Sequence, residues 1–299
     1  MANMIEPRSI FVDLGGTRRH VAEWGRKGAP VLLLVHGMRD HARSWDWLGQ
    51  RFGDYYHIFA PDLRGHGDSD RSLEGAYSLF NYVADLAEIA ESLGLERFHL
   101  VGHSLGGHVA LRYAATFPKR PESLCVIEGM ELPIIREERS SPTPYPVRLR
   151  AWIEAQRGMR DRTPRYYATM EEAAARMAEQ HPAFDKETIG HLTAHGLIAV
   201  AGRGLAWKYD NACRHRAPDD AHGADLDQLL GAVACPALLC YGSESWVPIP
   251  PDHRLDRLRS HRLVTFSGVS HWLHHEARKP FFSTLARFLT EPHNFVSGE

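Results

Sequence analysis

The sequence is sparing with cysteine: four in 299 residues, at positions 125, 213, 235 and 240, with no short paired spacing. That argues against a disulfide-stapled scaffold and against CxxC zinc or redox motifs, and it points to buried free thiols in a reducing, cytoplasmic setting. Long apolar runs are missing too. The longest, residues 29–35, falls far short of the roughly 20 residues that span a bilayer, and the first nine residues hold no apolar stretch suited to a signal peptide. Neither sign of charge dominates, since 35 Lys and Arg face 37 Asp and Glu for a formal charge of -2. Nucleic acid and anionic membranes therefore have no electrostatic claim as partners, and a small molecule is expected instead. No HExxH helix pair accompanies the nineteen histidines. They read mostly as surface residues, and neither a metal nor an organic cofactor is expected. Repeats and low-complexity tracts are also lacking.

What is present is apolar content for a core, 43% of the chain, arranged in short runs. Residues 10–14, 19–24, 31–35, 57–60, 98–101, 123–127, 237–241 and 262–266 read as strands, punctuated by Gly and Pro. Helical spacing connects Leu79, Val83, Leu86, Ala90 and Leu93, with Gly94 at the stop; residues 41–52, 105–116 and 277–289 also read as helices. Strands alternating with helices predict an α/β fold, a mostly parallel eight-stranded sheet covered on both faces. Residues 132–232 break the pattern with helical pieces and no convincing strand. One piece, 169–179, opens with Thr169 and Glu172 at capping-box spacing. The expected organisation is a core domain of residues 1–131 and 233–299 with a helical cap, 132–232, inserted after the sixth strand. Pro142, Pro144, Pro146 and the stretch 216–223 are hinge candidates.

Gly102-His103-Ser104-Leu105-Gly106 fits G-x-S-x-G, and it lies where that motif requires, after a strand and before a helix. Such a turn strains the serine and exposes its hydroxyl at the carboxyl end of the sheet, so small residues must stand two positions to either side. The Leu105 amide then opens a helix, where a free N–H and the helix dipole can hold an oxyanion. A second donor, the Met38 amide, is expected from His36-Gly37-Met38 after the third strand.

At these residues the chain resembles the α/β-hydrolase superfamily. Further markers are Ala60-Pro61-Asp62-Leu63-Arg64-Gly65-His66-Gly67-Asp68-Ser69 and Gly268-Val269-Ser270-His271-Trp272. The likeness covers nearly all of the chain outside the insertion, and it is strongest to esterase-type serine hydrolases with a helical cap. It implies Ser104 as nucleophile and His271, between the last strand and the last helix, as its base. A serine needs such a base near neutral pH, and histidine suits the task. His274 and His275 read as cap-facing or surface residues.

The third group must be a carboxylate that orients the imidazole. Most relatives place an aspartate in the turn after the penultimate strand, but here Ser245 occupies that position. A subset draws its acid from the end of the strand after the nucleophile helix, which makes Glu128 the candidate. Glu244, Asp252 and Glu131 remain alternatives. His103, Trp246 and Trp272 are expected at the substrate pocket, while Asp62, Arg64, His66 and Asp68 read as a hydrogen-bonded structural turn. The expected reaction is acyl transfer from a small ester or lactone to water. Cleavage of an amide or carbon-carbon bond by the same residues, or a receptor with little turnover, are the alternatives. Ser104 argues against epoxide hydrolase and dehalogenase chemistry, in which relatives use an aspartate nucleophile.

Overall fold

Each of the eight apolar runs becomes a strand of one sheet in the computed structural model of the chain, which describes residues 5–130, 142–160, 163–214 and 223–298. In chain order the strands are β1 (Arg8–Asp13), β2 (Arg18–Gly25), β3 (Val31–Val35), β4 (His57–Pro61), β5 (Phe98–His103) and β6 (Pro121–Ile127). Then come β7 (Leu197–Val200) and β8 (Gly204–Trp207), which pair with each other, followed by β9 (Ala237–Gly242) and β10 (His261–Phe266). The large sheet runs β1-β2-β4-β3-β5-β6-β9-β10; β2 is antiparallel to both neighbours and every other pair is parallel. The helices named below are α1 (Asp46–Phe52), α2 (Leu79–Ser92), α3 (Leu105–Thr116), α4 (Tyr145–Arg160), α5 (Met170–Gln180), α6 (Lys186–Gly196), α7 (Gly223–Ala232), α8 (Leu273–Glu276) and α9 (Arg278–Thr290). Among the described residues no helix is long and apolar enough to cross a membrane.

Covered faces explain why the central strands read as unbroken apolar runs. Leu33, Val35, Leu100, Leu124 and Val126 pack on one side with α2 and α3, while Leu32, Leu34, Val101, Cys125 and Ile127 pack on the other with α1 and α9. All four cysteines are buried free thiols. The buried stripe of α2 holds Leu79, Tyr82, Leu86, Ile89 and Ala90, and it also takes in Asp85, whose carboxylate pairs with both Arg19 and Arg64. Two of the expected stripe, Val83 and Leu93, are partly buried at its margin. The predicted helix over 41–52 divides into a 3-10 turn, Ala42–Trp45, and α1.

Between β6 and β9 the chain departs from expectation in one respect. The helices α4 to α7 are there, but so is the β7–β8 hairpin, contrary to the absence of strands predicted for 132–232. Four-residue strands are too short to show alternation, though Ile198 and Val200 ahead of Gly202-Arg203-Gly204 carry the local signal. Thr169 caps α5 as expected, its hydroxyl accepting from the Glu172 N–H at 3.3 Å. The Glu172 carboxylate reaches the Ala168 N–H at 2.9 Å, one residue before the cap. Pro144 and Pro146 flank the start of α4. Glu131 and the hinge candidate 216–222 lie outside the described residues.

Candidate active site

Ser104 stands between β5 and α3 with φ 52° and ψ -115°, a left-handed region that L residues rarely occupy. Its N–H donates to the Ile127 carbonyl at 2.8 Å, tying the turn to the neighbouring strand. A Cβ on Gly102 would lie 2.3 Å from the Gly106 carbonyl oxygen, and one on Gly106 would lie 2.1 Å from the Val35 carbonyl oxygen. The second contact matters for chemistry. It lets the end of β3 press against the first turn of α3, which brings the loop bearing Met38 beside Leu105, the residue that opens the helix. First-turn N–H groups have no partner within a helix, so Leu105 can offer its own to an oxyanion.

Glu128 follows β6, the strand beside β5, with His103 and Ile127 paired in register. It too is strained, at φ 49°, and it is fully buried. Its N–H donates to the Cys240 carbonyl at 3.1 Å. Three donors converge on its carboxylate: His271 Nδ1 at 2.5 Å and the Ser245 hydroxyl at 2.5 Å on Oε2, and the Gly242 N–H at 2.6 Å on Oε1. The serine that displaces the usual aspartate is thus a hydrogen-bond donor to the displaced acid. Glu244 is exposed and accepts from the Ser243 hydroxyl at 3.2 Å, and Asp252 is exposed at the start of a short helix. Neither approaches His271 within hydrogen-bonding distance.

The loop carrying His271 is held at both ends. The Ser270 N–H donates to Glu276 at 2.7 Å and its hydroxyl bonds the same carboxylate. His103 Nε2–H donates to the His271 carbonyl at 3.0 Å. With Nδ1–H given to Glu128, His271 keeps Nε2 free to take a proton. His103, expected in the pocket, is instead completely buried beneath the site, because the residue before an elbow serine points back into the core. Its burial, together with the neighbouring His274 and His271, drives its pKa well below the usual imidazole value. Trp246 is 60% exposed with its ring 4.9 Å from that of His271, and it lies outside the cleft lining.

A cleft adjoins this ground, lined by Met38 and Trp272 from the loops and by His181, Phe184, Trp207 and Tyr209 from the segment between β6 and β9; neither Ser104 nor His271 is among its lining. His181 and Phe184 meet the Trp272 ring edge-on, at 5.1 and 5.8 Å. Burial, with repulsion from Arg39 and His271, lowers the His181 pKa to about 4. The cleft also holds two cations that the sequence reading passed over. Arg39, adjoining Met38 at φ 62°, has no ion-pair partner among the described residues, and Lys208 pairs with the half-exposed Asp68 at 2.7 Å. The segment between β6 and β9 is tied to the loop after β3 by His41 Nε2–H donating to the Leu192 carbonyl at 3.0 Å and His191 Nε2–H to the Arg43 carbonyl at 2.9 Å.

The charged turn after β4 is built as a brace. Asp62 accepts from His20 Nδ1 at 2.7 Å, the Ala42 N–H at 2.6 Å and the Asp68 N–H at 2.9 Å. Burial opposes its charge, but the His20 hydrogen bond and the nearby His20 and His36 bring its pKa down to about 2. His36 is neutral, its pKa lowered to about 3 chiefly by burial, and its Nε2 accepts the Leu63 N–H at 3.0 Å. Histidine usage here corrects the sequence reading, for ten of the seventeen histidines among the described residues are buried, His274 and His275 included. Motif spacing gives no sign of this, since the burying surfaces come from distant loops.

Comparison with known proteins agrees with the fold. The N-formylmaleamate deformylase of Pseudomonas putida is 28% identical over 283 residues, 94% of this chain and 96% of that protein. Epoxide hydrolase 4 of Mus musculus is 36% identical over 119 residues, 40% of this chain and 33% of that one. The crystal structure of the hypothetical protein PA1622 from Pseudomonas aeruginosa aligns with a TM-score of 0.82 at 27% identity, covering 96% of this chain and all of that one. Residues 32–284 match the alpha/beta hydrolase family, and the chain belongs to it.

Proposed function

We propose that this hydrolase cleaves a small carboxylic ester through an acyl-enzyme on Ser104. The observation that carries the reading is the buried Glu128 carboxylate receiving His271 Nδ1–H at 2.5 Å on the strand next to a strained serine. Ser104 attacks the carbonyl while His271 Nε2 takes its proton, and the Met38 and Leu105 N–H groups hold the oxyanion. His271 then protonates the leaving group, and water, activated by the same imidazole, releases the acid. Glu128 stabilises the imidazolium at each step.

An amide is the second reading, favoured by the relative that matches along the whole chain and is named a deformylase. The same residues serve, with a nitrogen leaving group that requires protonation by His271. For either bond, the Arg39 cation in the cleft supports a substrate that carries a carboxylate, on the acyl group of an ester or on the leaving side of an N-formyl amide. The deciding experiment compares wild type and Ser104→Ala on p-nitrophenyl esters of increasing acyl length and on N-formyl amides. Ester turnover that vanishes in Ser104→Ala supports the proposal; turnover of amides alone transfers it to the second reading. Activity that survives Ser104→Ala overturns both.

A further inference from the structure

Beneath the site lies a group of donors that the proposed chemistry does not use. Asp40, His274 and His275 are all buried, and one ligand atom from each lies within 4.8 Å of the others. Both ring nitrogens of His274, Nε2 of His275 and Oδ2 of Asp40 are buried without a hydrogen-bond partner. Buried polar groups are ordinarily paired, so four such atoms in one place require an explanation.

Two other clusters show what a satisfied arrangement looks like. Asp46, with His191 and His195, is occupied by Arg43 at 2.8 Å and His191 at 3.2 Å. Asp62, with His20 and Asp68, accepts the three hydrogen bonds described above. Their carboxylates are already engaged on both sides. Asp40 Oδ1 accepts the His41 N–H at 2.8 Å, but its Oδ2, both nitrogens of His274 and Nε2 of His275 have no partner.

We infer that Asp40, His274 and His275 form a binding site for one divalent transition-metal ion of the zinc or cobalt type. Two imidazoles and one carboxylate are a donor set such ions favour, and closing on an ion at ~2.1 Å moves each atom inward by less than about 1 Å. Asp40 also lines the cleft, which gives the ion a way in. The position of the ligands assigns the ion a role. Asp40 stands two residues after Met38, and His274 and His275 stand three and four residues after His271. A bound ion therefore clamps the loop after β3 to the loop that bears His271.

The test uses the full chain stripped with chelator and then titrated with Co2+ and Zn2+. Binding is read by the visible absorption of Co2+ and by metal analysis, and stability by thermal unfolding. One equivalent is expected in the wild type, with a raised Tm, and none in Asp40→Asn or His274→Leu. Asp40→Asn keeps the shape of the side chain, so it serves if His274→Leu does not fold. No bound metal in the wild type, or one equivalent retained in either variant that folds, overturns the site. Stoichiometric binding with no change in Tm overturns the clamp.

Discussion

Ser245 shows how a single residue can look like a loss in sequence and act as a support in space. Its hydroxyl and the Gly242 N–H hold the Glu128 carboxylate while His271 occupies the same Oε2. Glu128→Gln puts an amide NH2 against Nδ1, favours the wrong tautomer, and is expected to lower kcat by about 10⁴-fold with the fold intact. Ser245→Ala leaves the charge in place and removes one donor, so a fall nearer 10-fold is expected in the same steady-state assay. Arg39→Gln tests the cleft: KM for a succinyl half-ester should rise about tenfold or more, while KM for the matching butyryl ester holds. The nucleophile and acid candidates were legible because each follows directly on a recognisable strand, and the base candidate because it stands in the loop between the last strand and the helix after it. Arg39, the His103 hydrogen bond and the partners of Asp40 were not, since they depend on contacts between loops far apart in the chain.

Elements were read most surely where both faces of a strand are buried. Residues 31–35 and 105–116 match β3 and α3 without adjustment, the first because a short apolar run between turns suits a buried strand and the second because the elbow turn and Pro118 bound it. The β7–β8 hairpin escaped because four residues cannot establish a period. Packing between elements is also where the elbow is most exposed to substitution. Gly106→Ala would set a methyl group against the Val35 and His36 carbonyls. It is expected to separate β3 from α3, abolish measurable turnover and lower Tm by several degrees, as activity assays and calorimetry would show.

For the whole molecule, buried neutral histidines set the response to acid. His36 has a folded pKa of about 3 against an ordinary value near 6.5, so between those limits the unfolded chain binds the extra proton and stability falls with falling pH. At pH 5.5 this one residue is expected to cost about 1.4 kcal/mol relative to neutral pH. His181 and His195, each lowered to about 4, act in the same direction. Asp62 adds a further loss between its unfolded value and about 2. Asp40 acts in the opposite direction, because burial raises its pKa to about 7 and the folded chain binds its proton first. The lowered histidines outnumber it, so urea unfolding at pH 7.5 and 5.5 should show a lower midpoint at the acid end; equal midpoints would mean that the histidine penalty does not exceed the Asp40 gain. Ser104 and Glu128 end adjacent strands, are tied together by the Ser104 N–H bond to the Ile127 carbonyl, and both precede the segment between β6 and β9, whereas His271 follows it. Lineages could therefore exchange or lengthen the residues between β6 and β9, and so change what enters the cleft, without altering the spacing of nucleophile and acid.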